Sequence, residues 1–186
     1  DAGFTVLTDS VEAAGQSRAF QELLACSDFF GEQVARQHEW LGDALADGTL
    51  LESRDWAADH WDQALSALIP PTQSEQGALA ALRIFRHREM LRILWRDYAQ
   101  LATLEEAFEA LSQLADCCIR AALSMATATL MEKYGTPYGT ESGHPQSLVV
   151  LGMVKLGGNE LNFSSDIDLI FAYPEAGITR GGRQEL

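Results

Sequence analysis

The sequence predicts a mainly α chain whose C-terminal end carries a smaller α+β part. Three observations lead there. Residues 1–146 hold apolar residues at helical spacing, broken by recognisable helix-start signals. The composition changes at Gly135, and Gly, Thr, Pro, Ser and His fill residues 135–147. Two short apolar runs with β-branched residues then follow within residues 147–186. The expected division is a helical region over 1–146 and the beginning of a second, incomplete domain over 147–186.

The first helices are expected over Ser17–Ala25 and Phe29–Trp40, with Ser27-Asp28 between them as an N-cap pair. A third is expected from Arg54 to Leu68, stopped by Pro70-Pro71. Thr72-Gln73-Ser74-Glu75 has the spacing of a capping box and opens a long helix through Tyr98. Thr103-Leu104-Glu105-Glu106 is a second such box. Its helix runs to Tyr134-Gly135, where glycine suits the left-handed position past a helix end. The short connection between these two helices predicts an antiparallel pair. Residues 135–147 read as a loop or linker. Ser147–Val154 reads as a buried strand, Gly157-Gly158 as a turn, and Asp166–Tyr173 as a second strand closed by Pro174, before a polar tail. Two strands alone make a marginal sheet. Together with a start at Asp1 rather than Met, this is the pattern expected of a piece of a longer protein.

Charge narrows the function. Thirteen Lys+Arg against 27 Asp+Glu give a net charge of −14. Nucleic-acid affinity comes largely from neutralising phosphates, and anionic membranes attract basic segments, so neither is an expected partner. No run of about 18 apolar residues is evident, so no membrane span is expected. No basic region followed by an apolar run opens the chain, so no signal peptide is expected. Cys26, Cys117 and Cys118 form no CxxC and have no histidine at metal spacing, and are expected to be buried thiols of a cytoplasmic protein. Trp40, Trp56, Trp61 and Trp95 are expected to pack between helices.

The chemistry is concentrated in residues 148–175. Asp166 and Asp168 stand two apart on an expected strand, so their carboxylates fall on one face while Ile167, Leu169 and Phe171 take the other. Two like charges so close need a positive partner. Mg²⁺ accepts one or two carboxylates plus phosphate oxygens, which suits phosphoryl or nucleotidyl transfer. Gly157 and Gly158 would bring backbone amides near a phosphate, Ser164 or Ser165 would add a hydroxyl, and Lys155 would add a charge.

The run Gly152 to Glu175, GMVKLGGNELNFSSDIDLIFAYPE, resembles the signature of the bacterial glutamine-synthetase adenylyltransferase/adenylyl-removing enzymes. Phe85 to Asp97 is similar to their arginine-rich helical motif. The resemblance implies a polymerase-β-like nucleotidyltransferase fold, here truncated, in a two-headed, ATP-binding enzyme that regulates glutamine synthetase in nitrogen metabolism. Asn162 to Asp168 is similar to the N-terminal head, which removes AMP from an adenylyl-tyrosine of glutamine synthetase by Mg²⁺-dependent phosphorolysis, giving ADP. The alternatives are the head that attaches AMP from ATP, and a helical docking module without activity. The resemblance also implies a PII-type signalling protein as a partner.

Two departures bear on the site. Val154 stands where the family turn usually has glycine, which matters if the backbone there is left-handed or touches ligand. The superfamily also needs a third carboxylate, and only Glu175 and Glu185 follow Asp168. The chain alone is therefore expected to be inactive. Of its 11 arginines, Arg83, Arg86, Arg88, Arg92 and Arg96 sit on one expected helix. Arg88, Arg92 and Arg96 recur every four residues, either as ion pairs with acidic neighbours or as a stripe of phosphate contacts.

Overall fold

The computed structural model describes residues 2–53, 63, 65, 69 and 74–184, with side chains from residue 5 onward. Five long helices and two small ribbons are seen among the described residues: α1 (Ala2–Ala13), α2 (Ser17–Cys26), α3 (Asp28–Ala46), α4 (Glu75–Tyr98) and α5 (Leu104–Tyr134), then β1 (Gly135–Gly139), β2 (Val149–Gly152), a single turn α6 (Val154–Gly157), β3 (Leu169–Ala172) and β4 (Gly177–Gly181). The mainly helical class with a few C-terminal strands is the one expected. The helix expected over Arg54–Leu68, the Pro70-Pro71 stop, Thr72, Trp56, Trp61 and Glu185 lie outside the described residues, although Leu65 is helical and buried.

The starts of the helices follow their hydroxyls. Ser27 Oγ accepts from Phe30 N–H at 3.2 Å and opens α3. Ser74 Oγ accepts from Gly77 N–H at 3.2 Å, so the cap of α4 is Ser74, two residues past the expected Thr72. Thr103 Oγ1 accepts from Glu106 N–H at 3.2 Å and opens α5. The return half of that box is not made, because the Glu106 carboxylate instead accepts from Arg96 Nη2 at 2.8 Å. At the far end of α5, Gly135 takes φ +88° and ψ −177°, a positive-φ backbone that requires glycine but is not the left-handed helical one expected.

Two apolar clusters hold the helices together. One joins α1, α2 and α3 to Leu91 and Trp95 of α4, with Phe20 and Phe30 each about 6 Å from the Trp95 ring. α1 was not anticipated, yet Leu7 and Val11 anchor it in this cluster. The other cluster joins Leu82, Phe85, Met90 and Ile93 of α4 to Ala107, Leu111, Leu114 and Cys117 of α5. Arg92 and Ile93 line one cavity with Ala107 and Ala110, while Leu82 and Arg86 line another with Ile119 and Ala122, so the two helices run antiparallel. α5 is long and apolar enough to cross a membrane by length and composition, with a mean hydropathy of 1.3, contrary to the expectation that no such stretch exists. Close packing on α4 accounts for the apolar residues over Ala107–Cys117, but only 11% of the apolar window is buried, so it does not account for the rest.

The arginine stripe faces inward. Arg92 is 2% exposed; its Nε donates to Glu89 Oε2 at 2.8 Å and its Nη1 to the Glu52 carbonyl at 2.9 Å. Arg96 is also buried, and donates to the carbonyls of Leu51 and Leu101 and to Glu106. Arg88 donates to Gln37 Oε1 at 3.0 Å and lies 5.0 Å over the Trp40 ring. The ion-pairing reading is the one the structure has. The stripe offers no open row of guanidinium groups for phosphates, because carbonyls and carboxylates take the donors of Arg92 and Arg96 while Arg88 bonds the Gln37 amide oxygen.

The strands depart most from expectation. β1 pairs antiparallel with β4, Gly135 opposite Gly181 and Gly139 opposite Gly177, where a loop and a polar tail were expected. β2 pairs antiparallel with β3, Val149 opposite Ala172 and Gly152 opposite Leu169. The expected strands shrink to four residues each, and neither is buried: Val149 is 45%, Leu151 47% and Phe171 60% exposed. The cause is topological, since each ribbon has only two strands among the described residues, and of β2 and β3 only Leu169 packs on the helical cluster.

Replacing Arg92 by alanine removes the guanidinium that meets the buried Glu89 carboxylate at 2.8 Å and the Glu52 carbonyl at 2.9 Å. The expected loss is about 3–5 kcal/mol of unfolding free energy, read as a lower urea midpoint. An unchanged midpoint would show that water reaches Glu89.

Candidate functional site

The segment with the chemistry is fastened to the α4–α5 pair at two leucines. Leu156 and Leu161 are each 7% exposed and belong to the α4–α5 cluster. Between them the backbone is fixed from α5: Ser112 Oγ accepts from the buried Leu161 N–H at 3.1 Å and donates to the Phe108 carbonyl at 2.8 Å. Ser112 has no distinguishing signal in the sequence; it is one hydroxyl on an otherwise apolar helix face.

The Gly157-Gly158 turn works differently from the expectation. Gly157 N–H donates to the Met153 carbonyl at 3.4 Å and Gly158 N–H to the Val154 carbonyl at 2.9 Å, so neither amide points free toward a phosphate. Gly157 is required for space, because a Cβ there would lie 2.5 Å from the Gly152 carbonyl oxygen. Val154 has φ +51° and is 76% exposed. The left-handed condition raised by the sequence is therefore met, and a β-branched residue occupies it under strain.

Ser165 is the centre of a small polar network. Its Oγ accepts from Lys155 Nζ at 3.1 Å and donates to Asn162 Oδ1 at 2.6 Å. Ser164 Oγ reaches the same Asn162 oxygen at 3.3 Å, and Ser165 N–H donates to the Asn162 carbonyl at 3.1 Å. Asn162 was not singled out from the sequence; the signal available was its spacing of two and three residues before two serines, which lets a short amide bond its own turn.

Asp166 and Asp168 precede β3 instead of lying in it. The Met153 N–H donates to the Asp168 carbonyl at 3.0 Å and carries the ladder one residue past β3, and no further. Both aspartates are exposed, as are Ile167 and Phe171, which were expected on the opposite face. Neither carboxylate makes a hydrogen bond or ion pair among the described residues. Two free carboxylates fit part of an octahedral Mg²⁺ shell, with water or phosphate oxygens taking the rest. Among the described residues no third carboxylate, histidine or cysteine joins them. Glu175 is occupied elsewhere: it accepts from the Glu141 N–H at 2.7 Å and from the Ser142 N–H at 3.2 Å, and the Ser142 side chain first, then these N–H groups, hold its carboxyl below the usual range.

Beside the aspartates, α4, α5 and residues 161–167 enclose a cleft of about 430 Å³. Its walls are mostly apolar, with Arg86, Asn162, Ser165 and Asp166 as the polar groups. Cys118 lines it too, and burial pushes that thiol up to about 11. Cys117 is fully buried, but Cys26 is exposed, unlike the buried thiol expected there.

Comparison with known proteins gives a consistent picture. The sequence model of the family described as glutamate-ammonia ligase adenylyltransferase matches residues 17–186. The chain is similar to the bifunctional glutamine synthetase adenylyltransferase/adenylyl-removing enzymes of Nitrosococcus oceani (43% identity over 96% of this chain) and Pseudomonas aeruginosa (43% over 90%). It is also similar to that of Shewanella woodyi (40% over 92%). It spans 17–18% of the length of these relatives.

Two substitutions probe how the segment is held. Val154→Gly removes a left-handed penalty of about 1–2 kcal/mol and adds about 0.5–1 kcal/mol of chain entropy. A small net gain in the urea midpoint is expected, and a loss would mean that the valine side chain packs. Ser112→Ala leaves the Leu161 N–H buried without its acceptor, at a cost of about 1–3 kcal/mol. Amide exchange at Leu161 should quicken in this variant more than exchange at Leu23, and equal protection would show that another acceptor substitutes.

Proposed function

This chain belongs to the glutamate-ammonia ligase adenylyltransferase family, and from that membership we propose that its site removes an adenylyl group from a tyrosine of glutamine synthetase. The observation that carries the reading is the exposed, unpaired Asp166 and Asp168 beside the Lys155–Ser165 contact. Asn162 to Asp168, similar to the removing head, favours removal over attachment.

In the proposed reaction an oxygen of inorganic phosphate attacks the adenylyl phosphorus. The bond from that phosphorus to the tyrosine oxygen breaks, the tyrosine takes up a proton, and ADP leaves. Asp166 and Asp168 would hold Mg²⁺, which supplies positive charge to the phosphoryl oxygens when bound. Lys155 adds a second charge, and its contact with Ser165 sets where that charge lies. Ser164 and Ser165 are the hydroxyls in reach of a phosphate, held in place by Asn162. Gly157 and Gly158 serve the site by letting α6 close on β2, and not by donating amides. Glutamine synthetase is the protein substrate, ATP is the nucleotide of the attaching reaction, and a PII-type protein is the proposed regulator.

The test uses a full-length family enzyme that carries this segment. Asp166→Asn and Asp168→Asn are expected to lower ADP formation from adenylylated glutamine synthetase, phosphate and Mg²⁺ by a hundredfold or more, as loss of several kcal/mol of charge stabilisation implies. Attachment of AMP from ATP should persist in both variants. The opposite pattern would assign the segment to attachment, and unchanged rates in both assays would remove the metal role. The 186-residue chain alone is expected to form no ADP.

A further inference from the structure

We infer that the cleft between α4, α5 and residues 161–167 seats the adenylyl group, with Arg86 binding its phosphate. The inference rests on the adenylyl-transfer reading above and names the substrate's seat. Four of the five arginines on α4 are engaged: Arg83 donates to the Leu79 carbonyl, and Arg88, Arg92 and Arg96 donate as described. Arg86 is the exception. It is exposed and makes no hydrogen bond or ion pair among the described residues, in a chain with 27 acidic groups.

Its position is specific. Arg86 lines the cleft on the α4 side, while Ser165 and Asp166 line it on the other. A phosphate held between them is therefore beside one of the carboxylates proposed to hold metal. Outside the cleft, burial first and then the neighbouring Arg86, Arg36 and Arg83 lower the affinity of His87 for a proton. Arg86 also opposes the rise at Cys118, which places the guanidinium's influence over the cleft floor. An unpaired guanidinium set against apolar, low-dielectric walls attracts an anion to its side of the cleft.

The remainder of the cleft selects what the anion is attached to. Met90, Ile119, Phe163 and Ile167 give it apolar walls suited to a flat ring. Its volume of about 430 Å³ lies within the roughly 300–1,000 Å³ of small-molecule sites. An inorganic phosphate alone would leave those walls uncovered. A nucleoside monophosphate unit matches both the charge at one side and the apolar space at the other.

The experiment is a metal-free titration of this chain with AMP, adenosine and inorganic phosphate, followed by NMR of the Met90, Ile119 and Ile167 methyl groups. AMP is expected to shift all three. Arg86→Gln should weaken AMP at least tenfold, Arg86→Lys should restore part of the loss, and adenosine binding should be unchanged by either. Arg86 is exposed, so both variants are expected to keep the wild-type methyl spectrum. Absence of shifts with AMP, or equal AMP affinity in Arg86→Gln, would overturn the assignment. Phosphate shifting the three methyls as strongly as AMP would overturn the ring's seat. Neither metal nor turnover enters, so this outcome is independent of the Asp166 and Asp168 assays.

Discussion

The docking of Leu156 and Leu161 on the α4–α5 pair, with the Ser112–Leu161 hydrogen bond between them, is the constraint on which the site depends. A two-stranded ribbon is marginal in water, and both faces of β2–β3 are largely exposed. Its stability has to come from elsewhere. Burying two leucines contributes about 1.5–3 kcal/mol each, and the bond to Ser112 removes the penalty of sealing a backbone N–H in an apolar cluster. The turn at Gly157, the serines and the aspartates are then carried as appendages of the helical pair. The closest backbone approach, Gly157 under the Gly152 carbonyl, ties β2 to the same anchor.

The electrostatics follow from how a very acidic chain uses few cations. Arg92 and Arg96 are sealed in the interior, where a guanidinium is tolerated only with its donors satisfied, and carbonyls of residues 51, 52 and 101 satisfy them. These arginines therefore bind chain segments together and are withdrawn from ligand chemistry. Lys155 and Arg86 remain at the edge of the cleft that Ser165 and Asp166 also line. Arg86 is unpaired among the described residues and Lys155 reaches Ser165, so both stand close to the exposed aspartates. The chain belongs to the glutamate-ammonia ligase adenylyltransferase family and is 40–43% identical to bifunctional enzymes over most of its own length.

Val154 shows the strain within this arrangement. Its left-handed backbone is imposed from both sides, by the β2 ladder ending at Met153–Asp168 and by the burial of Leu156 two residues later. The side chain projects into solvent, so little packing offsets the conformational cost. Asn159 takes φ +59° at the other end of the same turn, where a short amide side chain tolerates it.

What the sequence determined by itself is local. Helix starts at Ser27 and Thr103, the glycine end of α5, the mainly α class and the order strand, Gly-Gly, Ser-Ser, Asp-Ile-Asp were all readable, because caps, turns and periodicity are properties of neighbouring residues. The four-residue repeat of arginines was readable too, but not which way it faced. Tertiary structure decided that, by bringing carbonyls from outside α4 to the buried guanidiniums while leaving Arg86 beside the cleft. It also decided that Gly135–Gly139 is a strand, since its partner Gly177–Gly181 lies some forty residues on and the glycine-rich pattern carries no signal of its own. The aspartates' site was half legible: their identity and spacing were in the chain, while their place depends on Ser112 and the two leucines. Contacts between residues far apart in sequence have no local signature, and those contacts are what turned a motif into a located site.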